Sequence, residues 1–413
     1  MDAIATDVAA VLSSGARISL ALTGGGMGAI PRLLAVPGAS RAILEVLVPY
    51  SERNLAEYLG IVPEQYCSEE TALAMAAVAR RRAGRADDAG RANDAGPGTF
   101  PVGVGVTAAL VSDRPKRGPH RAFVAVDSPH ATSCHTLELD KGSRGRSAED
   151  ALVSEWVVSA LADHVAISGE FAGGHARLQV ETRELATAGR DRARMAVARA
   201  PEPLASLAFG DHSLAWRMPS GDWSRYAPAV PPRGILSGSF NPPHEGHRLL
   251  RQVAERRLGG PVAWELSVEN VQKPPLDFLR LARRLEQLSD GMVAVSRPAL
   301  FAEKGGLFPG ATFVIGYDTA LRLLDPRFHG GSWEGVAEAL GAVRRNGNRF
   351  LVAGRNSGNG FQNQANFAGP VEFSDLFDFL GEEEFRVDIS STDLRRQARL
   401  GEPATDHVDP ADE

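Results

Sequence analysis

The residues best suited to chemistry in this 413-residue chain lie in one stretch, Gly234 to Leu250, which reads GILSGSFNPPHEGHRLL. A short apolar run enters a turn of small residues, and His-x-Gly-His then opens a helical pattern. Glycine lets backbone amides approach an anion closely, and a helix N-terminus adds the positive end of its dipole. We therefore predict a strand, a turn and a helix N-terminus that bind phosphate, with His244 and His247 as donors to phosphate oxygens.

A second phosphate-binding pattern lies near the C-terminus, where residues 388–396 read DISSTDLRR. The hydroxyls of Ser390, Ser391 and Thr392 precede Arg395 by about one helical turn. Hydroxyls and amides at a helix start can hold a polyphosphate, and an arginine can clamp its charge. A plain Ser/Thr-capped helix has the same pattern, so this stretch alone does not identify a site.

Together the two stretches resemble the nucleotidyltransferase superfamily and, more narrowly, the nicotinate/nicotinamide mononucleotide adenylyltransferases. That family opens with G-[ST]-F-[ND]-P…H-x-G-H and closes with I-S-S-T-x-x-R, and both patterns occur here in that order. Between them, 313–318 (FVIGYD) and 350–355 (FLVAGR) resemble the family's strands that end in G-x-D and in arginine. Pantetheine-phosphate and cytidylyl transferases share HxGH, so other phosphorylated acceptors, or CTP as donor, stay open as alternatives.

The resemblance implies in-line attack of the mononucleotide phosphate on the α-phosphorus of ATP, with Mg²⁺ arriving with ATP and no covalent enzyme intermediate. His244 and His247 would then stabilise the transition state, and Arg395 with the three hydroxyls would hold the β- and γ-phosphates. The remaining substrate-binding residues implied by the family pattern are Gly238, Ser239, Phe240, Asn241, Gly246 and, on the adenosine side, Asp318. No metal site built from protein ligands is expected.

Lysine is rare enough in this chain to be informative, because only Lys116, Lys141, Lys273 and Lys304 occur. The adenylyltransferases often place a lysine after their second strand, and Lys273 is favoured for that role over Lys304. Trp264 could stack on a pyridine ring, but a buried core tryptophan is the favoured interpretation.

The N-terminal half contains a second ordered series of short motifs: Thr23-Gly24-Gly25, VPGAS at 36–40, VPYS at 48–51 and SEETALAMA at 68–76. In this order they resemble the CinA C-terminal family, which are nicotinamide-nucleotide amidohydrolases. The chain departs from that family at the catalytic positions, with Ala21 at the nucleophilic serine and Leu55 at the lysine. Residues 107–112 also lack both glycines of the family's T-G-I-A-G-P loop.

Alanine offers no nucleophile and leucine no base, so we expect the amidohydrolase activity to be lost. Such a domain would keep a nucleotide-sized pocket or act in dimerisation. An alternative is a bifunctional enzyme in which another hydroxyl, such as that of Ser19 or Thr23, replaces the missing serine. A second alternative is a non-catalytic nucleotide sensor with both domains degenerate.

The pattern of apolar residues predicts an α/β protein with two domains. The expected order is a CinA-like domain at 1–215 with a disordered loop at 83–99, a linker at 216–232, a Rossmann-like nucleotidyltransferase domain with a parallel sheet at 233–400, and an acidic tail at 401–413. Residues 168–212 are harder to place, and one helix over 176–200 is expected there.

Composition narrows the function classes further. A formal charge of −6 gives no general attraction to nucleic acid or anionic lipid. Two cysteines, Cys67 and Cys134, rule out a disulfide scaffold and favour a reducing compartment. No apolar run approaches the roughly 20 residues of a membrane span, and the first residues do not resemble a secretion signal. We therefore expect a cytoplasmic protein. The CinA resemblance implies a homo-oligomer, and the adenylyltransferase resemblance implies that it binds ATP and a pyridine mononucleotide.

Overall fold

A computed structural model describes residues 3–88, 98–114, 117–169, 176–269, 273–288, 290–357, 360–367 and 369–387. The chain forms two compact units. The first comprises the described residues of Met1–Phe209 and Asn270–Arg283, and the second those of Gly210–Glu269 and Arg284–Pro403. Both units combine helices with a largely buried sheet, so the predicted α/β class is confirmed.

The first unit is built on a seven-stranded mixed sheet with strand order β2-β1-β3-β4-β5-β7-β6. Strand β1 is parallel to β2 and β3, and the remaining neighbours are antiparallel. Its elements are α1 Ala3–Ser13, β1 Ala16–Thr23, α2 Ala29–Leu34, α3 Ala39–Ala42, β2 Ile43–Leu47, α4 Glu52–Leu59, α5 Glu69–Asp88, β3 Phe100–Ala109, β4 His120–Asp127, β5 Ala131–Leu139, α6 Arg146–Gly169, β6 Val180–Leu185, β7 Arg192–Arg199 and α7 Glu202–Phe209.

Helix α5 lies directly on strand β3 because that strand carries glycine where the two backbones meet. A Cβ on Gly103 would lie 2.0 Å from the carbonyl oxygen of Ala76, and one on Gly105 would lie 2.2 Å from that of Ala72. Alternate residues of β3, such as Val104, face the other way into the core shared with α1 and α6. The small residues of α5 and β3 thus set the spacing of the layers.

Helix α6 is long and apolar enough to cross a membrane by length and composition alone. In this structure 56% of its most apolar window is buried. Val153, Val157 and Leu161 of this helix belong to the main core of the first unit. The apolar side chains of α6 therefore pack against the sheet in the core of the first unit.

The second unit is built on an eight-stranded sheet with order β17-β14-β13-β10-β11-β12-β8-β9. Strands β10 to β14 and β17 pair in parallel, and β8 and β9 extend the sheet in antiparallel fashion. Its elements are β8 Leu214–Arg217, β9 Trp223–Ser224, β10 Gly234–Ser237, α8 Glu245–Leu258, β11 Val262–Ser267, α9 Phe278–Glu286, β12 Val293–Ser296, α10 Phe301–Leu307, β13 Thr312–Gly316, α11 Tyr317–Leu323, α12 Trp333–Arg345, β14 Arg349–Ala353, β15 Arg355–Ser357, β16 Gly360–Gln362 and β17 Phe377–Leu380.

Three stretches differ from the expected elements. Instead of one helix over 176–200, β6 and β7 form an antiparallel pair, because alternate residues of β7 are buried with the period of a strand. The stretch 216–232, expected as a linker, contains the end of β8 and all of β9, and β8 pairs with β12. Helix α5 continues through 83–88 of the expected loop, and residues 89–97 lie outside the described part of the chain.

The close packing of α5 on β3 predicts that Gly103→Ala will strongly destabilise the protein. The added Cβ meets backbone atoms, which cannot move aside without displacing the helix. Chemical denaturation should show a loss of about 3 kcal/mol or more in the free energy of unfolding. The matched control is Gly84→Ala in α5, where no atom lies within 4 Å. It should stabilise by up to about 1 kcal/mol, and equal effects of the two variants would contradict this packing.

Candidate active site

The strand order of the second sheet defines one place where a ligand can bind at strand ends. Parallel strands run outward from β10 in the order β10-β11-β12 on one side and β13-β14-β17 on the other. In sheets of this kind the connections diverge between the two central strands, and ligands bind outside their carboxyl ends. The turn at 238–244 follows β10, and the segment 316–318 follows β13. Both predicted motif segments therefore lie at this switch point.

The turn after β10 is shaped by Gly238 and Phe240. Phe240 has a φ of +40°, and a Cβ on Gly238 would lie 2.8 Å from the Phe240 ring. That ring is 3% exposed and packs edge-on against Trp264 at 5.0 Å and His247 at 5.1 Å between centroids. Phe240 therefore supports a histidine of the motif from inside the protein. Ser239 and Asn241 on either side are exposed.

His244 is the N-cap residue of α8, and His247 occupies the third helical position. The backbone N–H of His244 donates to Nδ1 of His247 at 3.1 Å, and the two ring centroids are 3.7 Å apart. Because Nδ1 of His247 accepts this bond, a neutral His247 carries its proton on Nε2. Within the described structure, Nδ1 of His244 is buried without a hydrogen-bond partner. The predicted pair is thus assembled at the start of a helix.

Both histidines are disfavoured as cations. Burial, then the neighbouring His244 and Arg248, lower the pKa of His247 from 6.5 to about 4. Burial and Arg248 also lower the pKa of His244. At neutral pH the pair therefore offers N–H donors rather than positive charge. Since the unfolded chain holds this proton more tightly, the stability that depends on neutral His247 is lost as pH falls from about 6.5 toward about 4.

The C-terminal end of the described chain lies against the histidine motif. A Cβ on buried Gly246 would lie only 2.7 Å from Cγ1 of Val387, so glycine permits this approach. The second phosphate-binding pattern begins at the next residue. Its predicted site residues lie outside the described residues: Ser390, Ser391, Thr392 and Arg395.

Asp318 lies in the first turn of α11, directly after β13, and forms an ion pair with Arg355. Arg355 follows β14, the parallel neighbour of β13. The two family-like strand ends therefore meet at the same edge of the sheet. About half of each side chain is exposed, 53% for Asp318 and 50% for Arg355, so both can reach a ligand.

The two candidate lysines have different environments. Lys304 is 4% exposed and donates to Oε2 of Glu265 at 2.8 Å, while Ser296 donates to the other oxygen of that buried carboxylate. This buried ion pair holds the Lys304 side chain in the interior of the second unit. Lys273 is exposed and belongs to the segment that packs with the first unit. Trp264 is fully buried, which confirms its interpretation as a core residue.

Trp333 is a candidate ligand-binding residue that the motif analysis missed. It opens α12, which leads into β14, so it lies toward the carboxyl edge of the sheet. Its exposed fraction is 61%, an unusual environment for the largest apolar side chain. The Gly-Gly-Ser turn at 330–332 before an amphipathic helix is the sequence signal that could have identified it.

In the first unit, the two positions that depart from the amidohydrolase pattern lie in one apolar cluster. Ala21 and Leu55 are both buried and pack with Leu59, Met75 and Val78. Ser19 and Thr23, the two hydroxyl residues of β1, are 1% and 9% exposed. Both positions that depart from the pattern therefore have apolar surroundings.

Comparisons with known proteins give sequence relatives of one kind. A "Probable nicotinate-nucleotide adenylyltransferase" of Gloeobacter violaceus is 28% identical over 179 residues, covering 41% of this chain and 84% of the relative. One of the same name from Mesorhizobium japonicum is 43% identical over 58 residues, covering 14% of this chain and 29% of its own length. This chain thus spans less than a third of the latter. These names agree with the resemblance of residues 233–400, while no family model matches the chain.

The solved structures that the chain matches carry competence-protein names. A competence or damage-inducible protein from Enterobacter asburiae has a TM-score of 0.32 and 20% identity, covering 40% of this chain and 98% of that one. The protein CihA from Agrobacterium tumefaciens has a TM-score of 0.31 and 20% identity, covering 40% and 95%. A CinA superfamily protein from Enterobacter cloacae has a TM-score of 0.30 and 19% identity, covering 40% of this chain and 89% of that one.

The geometry of the histidine pair predicts a titration and a tautomer for His247. Its resonance in nitrogen-detected NMR, assigned with His247→Gln, should titrate near pH 4 and show the proton on Nε2 at pH 7. A midpoint above 6 would contradict the effect of burial on His247, and a proton on Nδ1 at neutral pH would contradict the hydrogen bond from the His244 backbone.

Proposed function

We propose that the second unit transfers the adenylyl group of ATP to nicotinate or nicotinamide mononucleotide and releases pyrophosphate. The observation that carries this proposal is the pair of neutral histidine donors at a helix N-terminus, placed at the switch point of a parallel sheet. The names of the sequence relatives support the choice of acceptor.

In this proposal the protein supplies position and charge stabilisation. The Nε2–H of His247 and the amides at the start of α8 donate to phosphate oxygens, where charge grows in the transition state. A neutral imidazole can serve this role because its remaining N–H still donates a hydrogen bond at neutral pH. ATP enters as its Mg²⁺ complex, and the phosphates themselves supply ligands to the ion.

The remaining contacts follow from the positions of the strand ends. Asp318 and Arg355 can interact with the adenosine side, and the exposed ring of Trp333 can stack on a base. Lys273, Arg395 and the hydroxyls of Ser390, Ser391 and Thr392 stay predictions for the polyphosphate side. The homo-oligomer, the cytoplasmic location and the absence of nucleic-acid or membrane partners also stay predictions.

An acceptor screen tests this function directly. Pyrophosphate release with Mg²⁺ and ATP should require a pyridine mononucleotide and should be absent with phosphopantetheine, or with CTP as donor. His247→Ala should lower kcat by about 100-fold or more, while ATP affinity changes less. Gln252→Ala, at an exposed position further along α8, is the matched control and should keep wild-type turnover.

Two results of this screen favour other functions. Turnover with a different phosphorylated acceptor would change the assigned acceptor, while nucleotidyl transfer would remain the reaction. ATP binding without turnover on any acceptor would identify a nucleotide sensor instead. Unchanged kcat in His247→Ala would overturn the assignment of the histidine pair.

We further propose that the first unit has lost amidohydrolase activity, because apolar packing replaces the nucleophile and the base. The full chain incubated with nicotinamide mononucleotide should give no nicotinate mononucleotide by mass spectrometry. If the double variant with Ala21→Ser and Leu55→Lys gains deamidation, that gain supports the loss of amidohydrolase activity at these two positions. Deamidation by the wild-type chain that Ser19→Ala or Thr23→Ala abolishes would establish the bifunctional alternative.

A further inference from the structure

Residues 273–283 lie within the sequence of the adenylyltransferase-like half but cluster with the first unit. We call residues 273–283 the docked segment. The loop residues Pro274 to Asp277 are all buried, as are Phe278 and Leu279 of α9, although loops between strands and helices normally run over the surface. The segment is therefore held by specific contacts.

One set of contacts is a hydrogen-bond chain through Thr132 of β5. The hydroxyl of Thr132 donates to Oδ1 of Asp127 at 2.6 Å and accepts the backbone N–H of Phe278 at 3.0 Å. Arg80 donates to the other oxygen of Asp127 at 2.6 Å. Phe278 is the first residue of α9, so Thr132 satisfies an amide that the helix itself leaves unpaired.

A second set of contacts is ionic. Arg283 donates to Glu69 at 2.5 Å and lies 3.8 Å from Glu70, both in the first turn of α5. Asp277 is 1% exposed, pairs with Arg280 and accepts the backbone N–H of Arg280 at 2.9 Å. The Asp277–Arg280 pair is buried, so removing one partner would leave the other charge uncompensated. The Arg283–Glu69 pair is partly exposed, at 37% and 21% of the two side chains.

The docked segment joins two parts of the candidate active site along the chain. It begins at Lys273, the lysine favoured for catalysis, and is followed in α9 by Arg284. The guanidinium of Arg284 donates to the carbonyl oxygen of Ser239 at 3.0 Å, in the turn after β10. Restraint of residues 273–283 therefore restrains the chain leading into this contact.

We propose that the first unit serves the transfer reaction by holding the docked segment, with Thr132 and Glu69 as positioning residues. The role rests on the proposed adenylyl transfer. It gives the first unit a task that requires neither a nucleophile nor a base, and it places the functional contacts at Glu69 and Thr132 rather than at Ala21 and Leu55.

The test uses the full chain and reads the segment and the reaction separately. In Thr132→Val the hydroxyl is lost at nearly constant volume, so hydrogen exchange of peptides covering 274–283 should accelerate. The KM for the mononucleotide should rise about tenfold, the size expected for losing the bond that holds the Phe278 amide, with kcat within about twofold. Thr136→Val is the control in the same strand, at a position whose side chain makes no hydrogen bond in the described structure, and it should match the wild type.

A charge reversal provides a test that does not depend on one fold-sensitive variant. Glu69→Arg and Arg283→Glu should each raise the KM for the mononucleotide, and the double variant should restore it to within about threefold. Glu155→Arg, in the exposed pair with Arg32, is the matched reversal and should leave KM unchanged. A merely structural role would lower the melting temperature without this pattern in KM.

The outcomes separate the two proposals. If the wild-type chain shows no adenylyl transfer, both the proposed function and the positioning role are wrong. Hydrogen exchange of peptides covering 274–283 then still decides whether Thr132 holds the docked segment. If the wild type transfers the adenylyl group but Thr132→Val changes neither the hydrogen exchange of 274–283 nor the KM, only the positioning role is overturned. Faster exchange with an unchanged KM overturns it as well.

Discussion

Strand β10 has a parallel neighbour on each side, β11 and β13, and the connections leave it in opposite directions. This constraint opens a crevice at the carboxyl ends of β10 and β13, because neighbouring connections cannot cover both ends. The other features of the second unit follow from it. Helix α8 must start beside the crevice, and its first turn carries His244 and His247. The next strand ends bring Asp318 and Arg355 to the same edge.

The histidine pair illustrates how the start of a helix can set a protonation state. One backbone hydrogen bond fixes the tautomer of His247, and burial removes its charge. Such a neutral donor stabilises charge that develops on phosphate, and removing a neutral imidazole from water costs less free energy than removing a charged one. In the first unit, by contrast, Ala21 and Leu55 lie in a cluster of apolar contacts. Chemistry would then be concentrated in the second unit, while the first retains contacts to residues 273–283.

Local signals predicted the parts of the fold that local sequence determines. The strand, turn and helix around 234–250 follow from small residues, proline and the helical pattern after His244. The pairing of β8 with β12 could not be predicted, because it depends on partners nearly 80 residues away. The same limit applies to the bond between Phe278 and Thr132, which are 146 residues apart. The ring of Phe240, expected to line the cleft, is instead buried against Trp264 and His247.

The most direct measurement of the central claim is a crystal structure of the full chain with Mg²⁺ and a non-hydrolysable ATP analogue. The account predicts the triphosphate at the carboxyl ends of β10 and β13, with an α-phosphate oxygen within about 3.2 Å of Nε2 of His247. A nucleotide bound elsewhere, or bound at this edge with the His247 ring turned away from the phosphates, would contradict it.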